Sequence, residues 1–398
     1  MDVYLLDWAN MLVRWLHLIA GIAWIGASFY FVMLDTSLKP PKKPEDQARG
    51  VFGELWAVHG GGFYISQKFL TGPKGEPLTQ DLHWSKWEAY TTWLSGMSLL
   101  VLIYWIGART YLIDPNVMDL SPAAAIGLSI LTLIAGWLVY DGLCRVLGDK
   151  PMLLGILIYA FVVLVAWALF HVFGARAAYV HVGAMIGTIM VANVFFVIIP
   201  GQRKMVEAIR AGHAPDPIAG LRGKIRSVHN TYFTLPVLFV MISNHYPMTY
   251  GSRFGWLVLA LIGASGVLIR EFFVARHRGR VNYALPAAAV VVLAAVGVII
   301  APSAAKTEGA TAVTFATVQP IFAQRCAVCH SEKPTQPGID APPLGVMLDT
   351  PARIQAAAPR IQQQVIVTQV MPIGNLTKMT PEERARVGAW LAAGAKLD

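Results

Sequence analysis

Three observations predict an all-α membrane protein: an eight-span transmembrane helical bundle followed by a small α-helical C-terminal domain. The composition is 56% hydrophobic and only 14% charged over 398 residues, as lipid-facing helices require. Eight apolar runs reach the length of roughly 20 residues that a bilayer demands. Beyond the last run the chain turns polar and carries Cys326-Ala327-Val328-Cys329-His330.

The runs lie near 8–34, 86–107, 121–147, 151–173, 178–200, 227–247, 254–275 and 283–302. The first lacks a basic n-region and a small-x-small cleavage site, so it is expected to stay as a span. Eight spans put both termini on one side. Basic residues collect in the first, fifth and seventh connections, as in Lys39, Lys42 and Lys43, in Arg203, Lys204 and Arg210, and in Arg276, Arg278 and Arg280. The alternate connections hold little beyond Arg109, Arg176 and Arg253. The positive-inside rule then makes the odd connections cytoplasmic and both termini periplasmic, in a bacterial inner (cytoplasmic) membrane. The net charge of +9 is accounted for by membrane lipid, and nucleic acid is not expected as a partner.

The division falls at 1–305 for the bundle and 306–398 for the C-terminal domain. Thiols three residues apart, at Cys326 and Cys329, can bond both vinyl groups of one porphyrin, with His330 reaching the iron. A zinc or redox Cys-x-x-Cys is the bland alternative, but there is no second Cys pair and no thioredoxin-like context. Covalent haem c is therefore expected, attached on the outer side that the charge pattern gives to the C-terminus. A thioether from Met347, Met371 or Met379 would complete the iron; Met371, before Pro372 and a helix start, is the best placed. That helix opens on Thr380-Pro381-Glu382-Glu383, a capping-box pattern, and its Val387, Trp390 and Leu391 stripe faces Phe315, Val318 and Phe322. Helix, haem motif, Met loop and final helix describe a small cytochrome c domain.

Ionisable residues inside spans are functional hypotheses by default. His17 and His181 lie at matching depth in the first and fifth runs, flanked by small residues. The pair suits bis-imidazole ligation of one or two b haems, against the bland reading of hydrogen-bonded structural histidines. Arg14, one turn from His17, could meet a haem propionate. His171 and His245 are alternatives near span ends, and Cys144 reads as packing. On the inner side, three glycines after His59 would let the backbone approach a ligand, with Trp56, Phe63 and Tyr64 as flat surface. Glu54, Glu88 and His229 fall near the same side and could do acid–base work on a planar heterocycle, as could Asp141, Asn230 and Glu271. The bland reading makes each an interfacial cap.

The stretches Tyr4 to Asn10, Trp24 to Tyr30, Gly53 to Tyr64 and His229 to Pro236 resemble the bacterial membrane-bound urate hydroxylase family. Trp15 to Tyr30 is also similar to the first helix of other membrane haem proteins with a His there. The first resemblance implies an eight-span domain joined to a cytochrome c, oxidising urate to 5-hydroxyisourate. Its electrons would leave through the cytochrome to a soluble cytochrome c or a terminal oxidase. Urate bound inside and haem c outside would be separated by a hydrocarbon core of ~30 Å, which gives the membrane histidines a reason as an intermediate redox centre. A quinol-oxidising or electron-transfer cytochrome is the alternative. A transporter with a redox sensor is disfavoured, because the weak internal repeat is parallel and no span is conspicuously broken.

Overall fold

A computed structural model of the chain describes residues 3–301, 313–337 and 339–397. The expected domain boundary at 305/306 lies outside the described residues. The long helices are α1 (Val3–Ser37), α2 (Trp87–Leu99), α3 (Pro122–Leu147), α4 (Pro151–Phe170), α5 (Ala175–Ala192), α6 (Ile199–Arg210), α7 (Pro217–Ser243), α8 (Gly255–His277) and α9 (Ala284–Ile299). Among the described residues, five helical stretches are long and apolar enough to cross a membrane: Tyr4–Ser37, Pro122–Leu147, Pro151–Phe170, Ala175–Arg210 and Gly255–His277.

The other three expected spans are shaped differently. The run at 86–107 begins as α2 but continues in π-helical turns, Leu100–Trp105 and Ala108–Leu112. The run at 227–247 is the second part of α7, which also carries Arg222, Lys224 and Arg226 and is interrupted by Pro236. The last run supports only α9, whose 16 residues extend about 24 Å at the usual helical rise.

One element departs from the all-α expectation. Strands β1 (Gly53–His59) and β2 (Gly62–Lys68) pair as an antiparallel hairpin, with His59 opposite Gly62. The loop is therefore Gly60-Gly61, whose φ angles are +57° and +80°. A two-residue type I′ turn requires positive φ at both positions, which glycine adopts without strain. The glycines after His59 thus serve a turn.

Within the bundle, small residues set how closely helices cross. A Cβ at Gly136 of α3 would lie 2.3 Å from Met185 Cγ of α5, and one at Gly183 of α5 would lie 2.4 Å from Val240 Cγ1 of α7. Such sites are how membrane helices gain close packing without help from water. Tyr140, Phe173, Tyr179, Met185 and Ile189 fill the shared core.

The C-terminal residues build a separate core. Helix α10 (Phe315–Arg325) packs against α11 (Pro381–Ala392), with the Trp390 ring 5.6 Å from Phe315 and 5.7 Å from Phe322. The expected capping box forms: Glu383 N–H donates to Thr380 Oγ1 at 3.2 Å, and Thr380 N–H donates to Glu383 Oε2 at 2.8 Å. Arg325 grips the same carboxylate from α10, Nη2 to Oε1 at 2.9 Å and Nε to Oε2 at 3.0 Å. This core rests on the bundle where Gly374 approaches the Thr110 and Ile113 carbonyls and Thr368 approaches Gly251.

Arg325 beside Glu383 holds that carboxyl below the usual carboxylate range. A depressed folded-state pKa contributes stability that is complete above the unfolded value and disappears as pH falls through the folded one. Glu383→Gln should therefore lose protection of the 381–392 amides in hydrogen exchange at neutral pH, with the difference from the native chain closing in acid. Thr380→Ala should cost about 1 kcal/mol in the same measurement. Equal protection of Glu383→Gln and native chain at neutral pH would remove the ion pair from this account.

Candidate functional site

Polar groups from three helical stretches meet inside the bundle. Tyr140 and Asp141 come from α3, Asn193 from the π-helical turn that follows α5, and Arg226, His229 and Asn230 from α7. Positions 226, 229, 230 and 233 share one face of a helix, as do 137, 140, 141 and 144. Arg226 Nη2 donates to Asp141 Oδ1 at 2.5 Å, and Arg145 Nε donates to Asp141 Oδ2 at 2.6 Å. Arg226 Nη1 donates to Asn193 Oδ1 at 3.3 Å. Asn193 Nδ2 then donates to Tyr140 Oη at 3.0 Å and to Asn230 Oδ1 at 2.9 Å. Asn230 Nδ2 ends the chain on the Met190 carbonyl at 3.0 Å.

These bonds have a direction. Arg226 can only donate, so Asn193 presents its oxygen to Arg226 and its nitrogen to Tyr140. The Tyr140 hydroxyl, which accepts from Asn193, shares a hydrogen bond of 2.8 Å with His229 Nδ1. Nε2 of His229 has no protein partner among the described residues. Aromatic rings flank the patch: Trp137 stacks on Phe196 at 5.8 Å, Phe233 lies 6.0 Å from Tyr140, and Arg226 sits 5.0 Å over the Tyr140 ring. An oriented imidazole with one open nitrogen beside flat apolar surface can exchange protons with a planar substrate.

A second buried guanidinium lies on α8. Arg270 is as buried as Arg226, each 6% exposed, yet among the described residues its Nε and Nη2 have no hydrogen-bond partner. The Phe29 ring of α1 lies 4.2 Å from its guanidinium carbon. Beside it, Tyr232 of α7 donates a short hydrogen bond to Glu271. A lone cation at span depth costs of order 3 kcal/mol.

The residues expected from sequence are distributed as follows. His229 belongs to the buried patch. Glu54 is buried at the start of β1, where its backbone pairs with Lys39. His59 is exposed at the hairpin turn, about 17 Å further along the strand at the usual rise. Glu88 opens α2. His59 and Glu54 therefore do not converge on one ligand, and neither hydrogen-bonds to His229. His17 lies against α2, its Nδ1 2.9 Å from the Thr92 carbonyl and 3.2 Å from Ser95 Oγ. Gly96 makes room for that ring, since a Cβ there would lie 2.9 Å from His17 Cε1. Arg14 bonds Asn10 at 3.0 Å. His181 is fully buried, with Nε2 2.7 Å from Ser129 Oγ and Nδ1 2.8 Å from the Ala177 carbonyl. Both its nitrogens are engaged, between Tyr104 and Phe173, and none of these partners touches His17. As arranged, His181 does not fit an axial ligand of haem b, whereas His17 keeps Nε2 without a partner. Asn193, Arg226 and Arg270 escaped the reading of the sequence; each is a polar residue in or beside an apolar run, which is the signal that could have found them.

The Cys-x-x-Cys-His segment forms one turn at the end of α10, with the Cys329 and His330 amides donating to the Cys326 carbonyl at 3.1 and 2.9 Å. His330 Nδ1 bonds the Val346 carbonyl at 3.0 Å. That bond fixes the tautomer and turns Nε2 outward, as in a histidine prepared for a metal. Both cysteines are free; burial pushes the Cys326 thiol up to about 12 and raises Cys329 as well, the reverse of a reactive redox pair. Among the described residues no three His, Cys, Asp or Glu side chains gather as ligands of a lone ion. The residues fit covalent haem. Met371 and Cys326 both pack against the C-terminal core, and the Met371 carbonyl accepts from Arg384 at 2.9 Å. A cavity of about 680 Å³ separates this unit from the bundle, lined by Asp114, Arg176, Arg253, Thr368 and Arg384 among others.

Two results come from comparison with known proteins. The family model described as urate oxidase N-terminal matches residues 3–301. No curated protein and no solved structure matches the chain.

The Arg226–Asp141 pair generates a stability prediction. Removing one partner of a buried pair typically costs 3–5 kcal/mol, whereas replacing both by apolar side chains costs far less. Asp141→Ala should unfold several degrees lower than the native chain, and Asp141→Leu with Arg226→Met should recover most of the loss. A double variant no more stable than Asp141→Ala would show that the pair does not hold these helices.

Proposed function

Because the chain belongs to the urate oxidase N-terminal family, we propose that it is a membrane oxidoreductase converting urate to 5-hydroxyisourate with electrons leaving through a C-terminal cytochrome c domain. The observation that carries the electron route is the His330 Nδ1 bond to the Val346 carbonyl, made one turn from two free cysteines. Cys326 and Cys329 would hold the haem, His330 Nε2 would face its iron, and the bound group would supply a one-electron carrier. Met371 is the proposed opposite ligand. Met347 follows Val346, whose carbonyl is bonded to His330 Nδ1, and Met379 is buried in the core. Residues 1–305 are proposed as an eight-span unit and 306–398 as a periplasmic cytochrome c domain. On this reading α2 with its π-turns, α7 and α9 complete the spans, in an inner membrane, with a soluble cytochrome c or terminal oxidase as acceptor.

The reaction consumes urate and water and releases two electrons and two protons. The buried patch supports the proton half. In the tautomer that accepts from Tyr140 at Nδ1, His229 offers Nε2–H to an oxo group of the substrate. Accepting a proton there requires the Tyr140 hydroxyl to turn away from Nδ1, so Asn193 and Tyr140 position His229 for either role. Trp137 and Phe196 offer the flat surface that a purine ring needs. The hairpin histidine, His59, does not share this patch, and the proposal moves the acid–base centre from it to His229.

Anaerobic urate should reduce the haem c of the purified chain, and quinol should not. His229→Ala should slow that reduction by about 10²–10⁴-fold, with reduction by dithionite still complete. Tyr140→Phe should slow it less and displace its pH profile. Reduction by quinol and not by urate would overturn the reading. Met371→Ala should lower the haem potential, and an unchanged potential would return the ligand choice to Met347 or Met379.

A further inference from the structure

Two guanidiniums are buried to the same degree in this bundle, and the fold treats them oppositely. Arg226 has a carboxylate, an amide and two aromatic faces. Arg270 has none of the first two. Its unpartnered nitrogens are Nε and Nη2, and these point their N–H bonds in parallel from one edge of the guanidinium plane. That edge is the fork that takes two adjacent acceptor atoms of one anion. Phe29 covers a face of the plane at 4.2 Å, and the edge is buried without a hydrogen-bond partner among the described residues. Glu271 makes no ion pair with Arg270: it is the next residue along the helix and is engaged by Tyr232. Arg270 lies about 10 Å, and Phe29 about 12 Å, from the ends of their helices at the usual rise, so the two meet within the bundle and away from water.

We propose that Arg270, backed by Phe29, is an anion-binding site that takes a delocalised organic anion through its Nε–Nη2 edge. Two anions have the required pair of neighbouring acceptors. One is the urate monoanion, whose ring places an oxo group beside a deprotonated nitrogen; the other is a carboxylate such as the propionate of a noncovalent haem. The urate arm rests on the function proposed above, and the haem arm does not.

The test uses the full chain in detergent with two readouts. Binding of radiolabelled urate is measured by equilibrium dialysis, and noncovalent haem is counted against haem c by pyridine haemochrome. Arg270→Lys keeps the charge without the fork, and Arg270→Met removes the charge at similar volume. If urate is the anion, both variants should bind it about ten- to hundredfold more weakly, the range for hydrogen bonds to a charged group, with haem content unchanged. If a propionate is the anion, both should lose noncovalent haem and bind urate as the native chain does. Native-like urate binding and haem content in both variants would overturn the proposal, as would a native chain that holds neither ligand. Melting in the absence of urate separates a site from a packing role: Arg270→Met should melt no lower than the ligand-free native chain. A large drop would make Arg270 structural and also overturn it. A native chain that fails to bind urate yet keeps Arg270-dependent haem would sink the urate reading alone.

Discussion

A charge left unpaired among apolar helices is costly, and the way this bundle compensates Arg226 organises the rest of it. The ion pair to Asp141 joins α3 to α7, and Asn193 adds the end of α5 to the same junction. These polar bonds add a fixed register to the close packing that Gly136 and Gly183 allow among the same three helices. The surroundings of His229 follow from that junction. Arginine has no acceptor, and this single fact turns the Asn193 amide so that its nitrogen meets Tyr140, the hydrogen-bond partner of His229.

Much of the architecture could be read from residues because apolar length is a one-dimensional signal. The runs at 121–147 and 151–173 correspond to α3 and α4, and the run at 254–275 to α8. The Thr380 capping box needs only four consecutive residues, and it formed. Features that depend on partners distant in sequence were not legible. Asp141 and Arg226 are 85 residues apart, and only the fold makes one the counter-ion of the other. His17 and His181 look equivalent by depth, yet one keeps an open nitrogen and the other spends both on Ser129 and Ala177. The glycines after His59 show a different failure. Glycine allows close ligand approach and also allows positive φ, and the register of β1 with β2 selects the second use.

The two functional ends of the molecule are set apart by helix length. Arg176, on the cavity beneath the C-terminal unit, and Asn193, in the buried patch, lie about 25 Å apart along α5 at the usual rise. In the proposed function, proton handling and electron exit fall at opposite ends of one bundle. The deep end is closed by hydrogen-bonded side chains, and the other is roofed by the C-terminal core resting on Gly251 and on the turn at Thr110. A separation of this kind would, in the proposed function, keep a reacting purine apart from the unit that passes electrons on.

The cavity of about 680 Å³ under that roof has a consequence for how the two parts recognise each other. Free proteins that bind stably bury ~800 Å² per partner in close contact, and they do so to offset the entropy of finding one another. Here both parts belong to one polypeptide, so the encounter is intramolecular and proceeds at an effective concentration in the millimolar range for a short connection. Covalent continuity therefore supports a contact that separate molecules would have to hold by affinity alone.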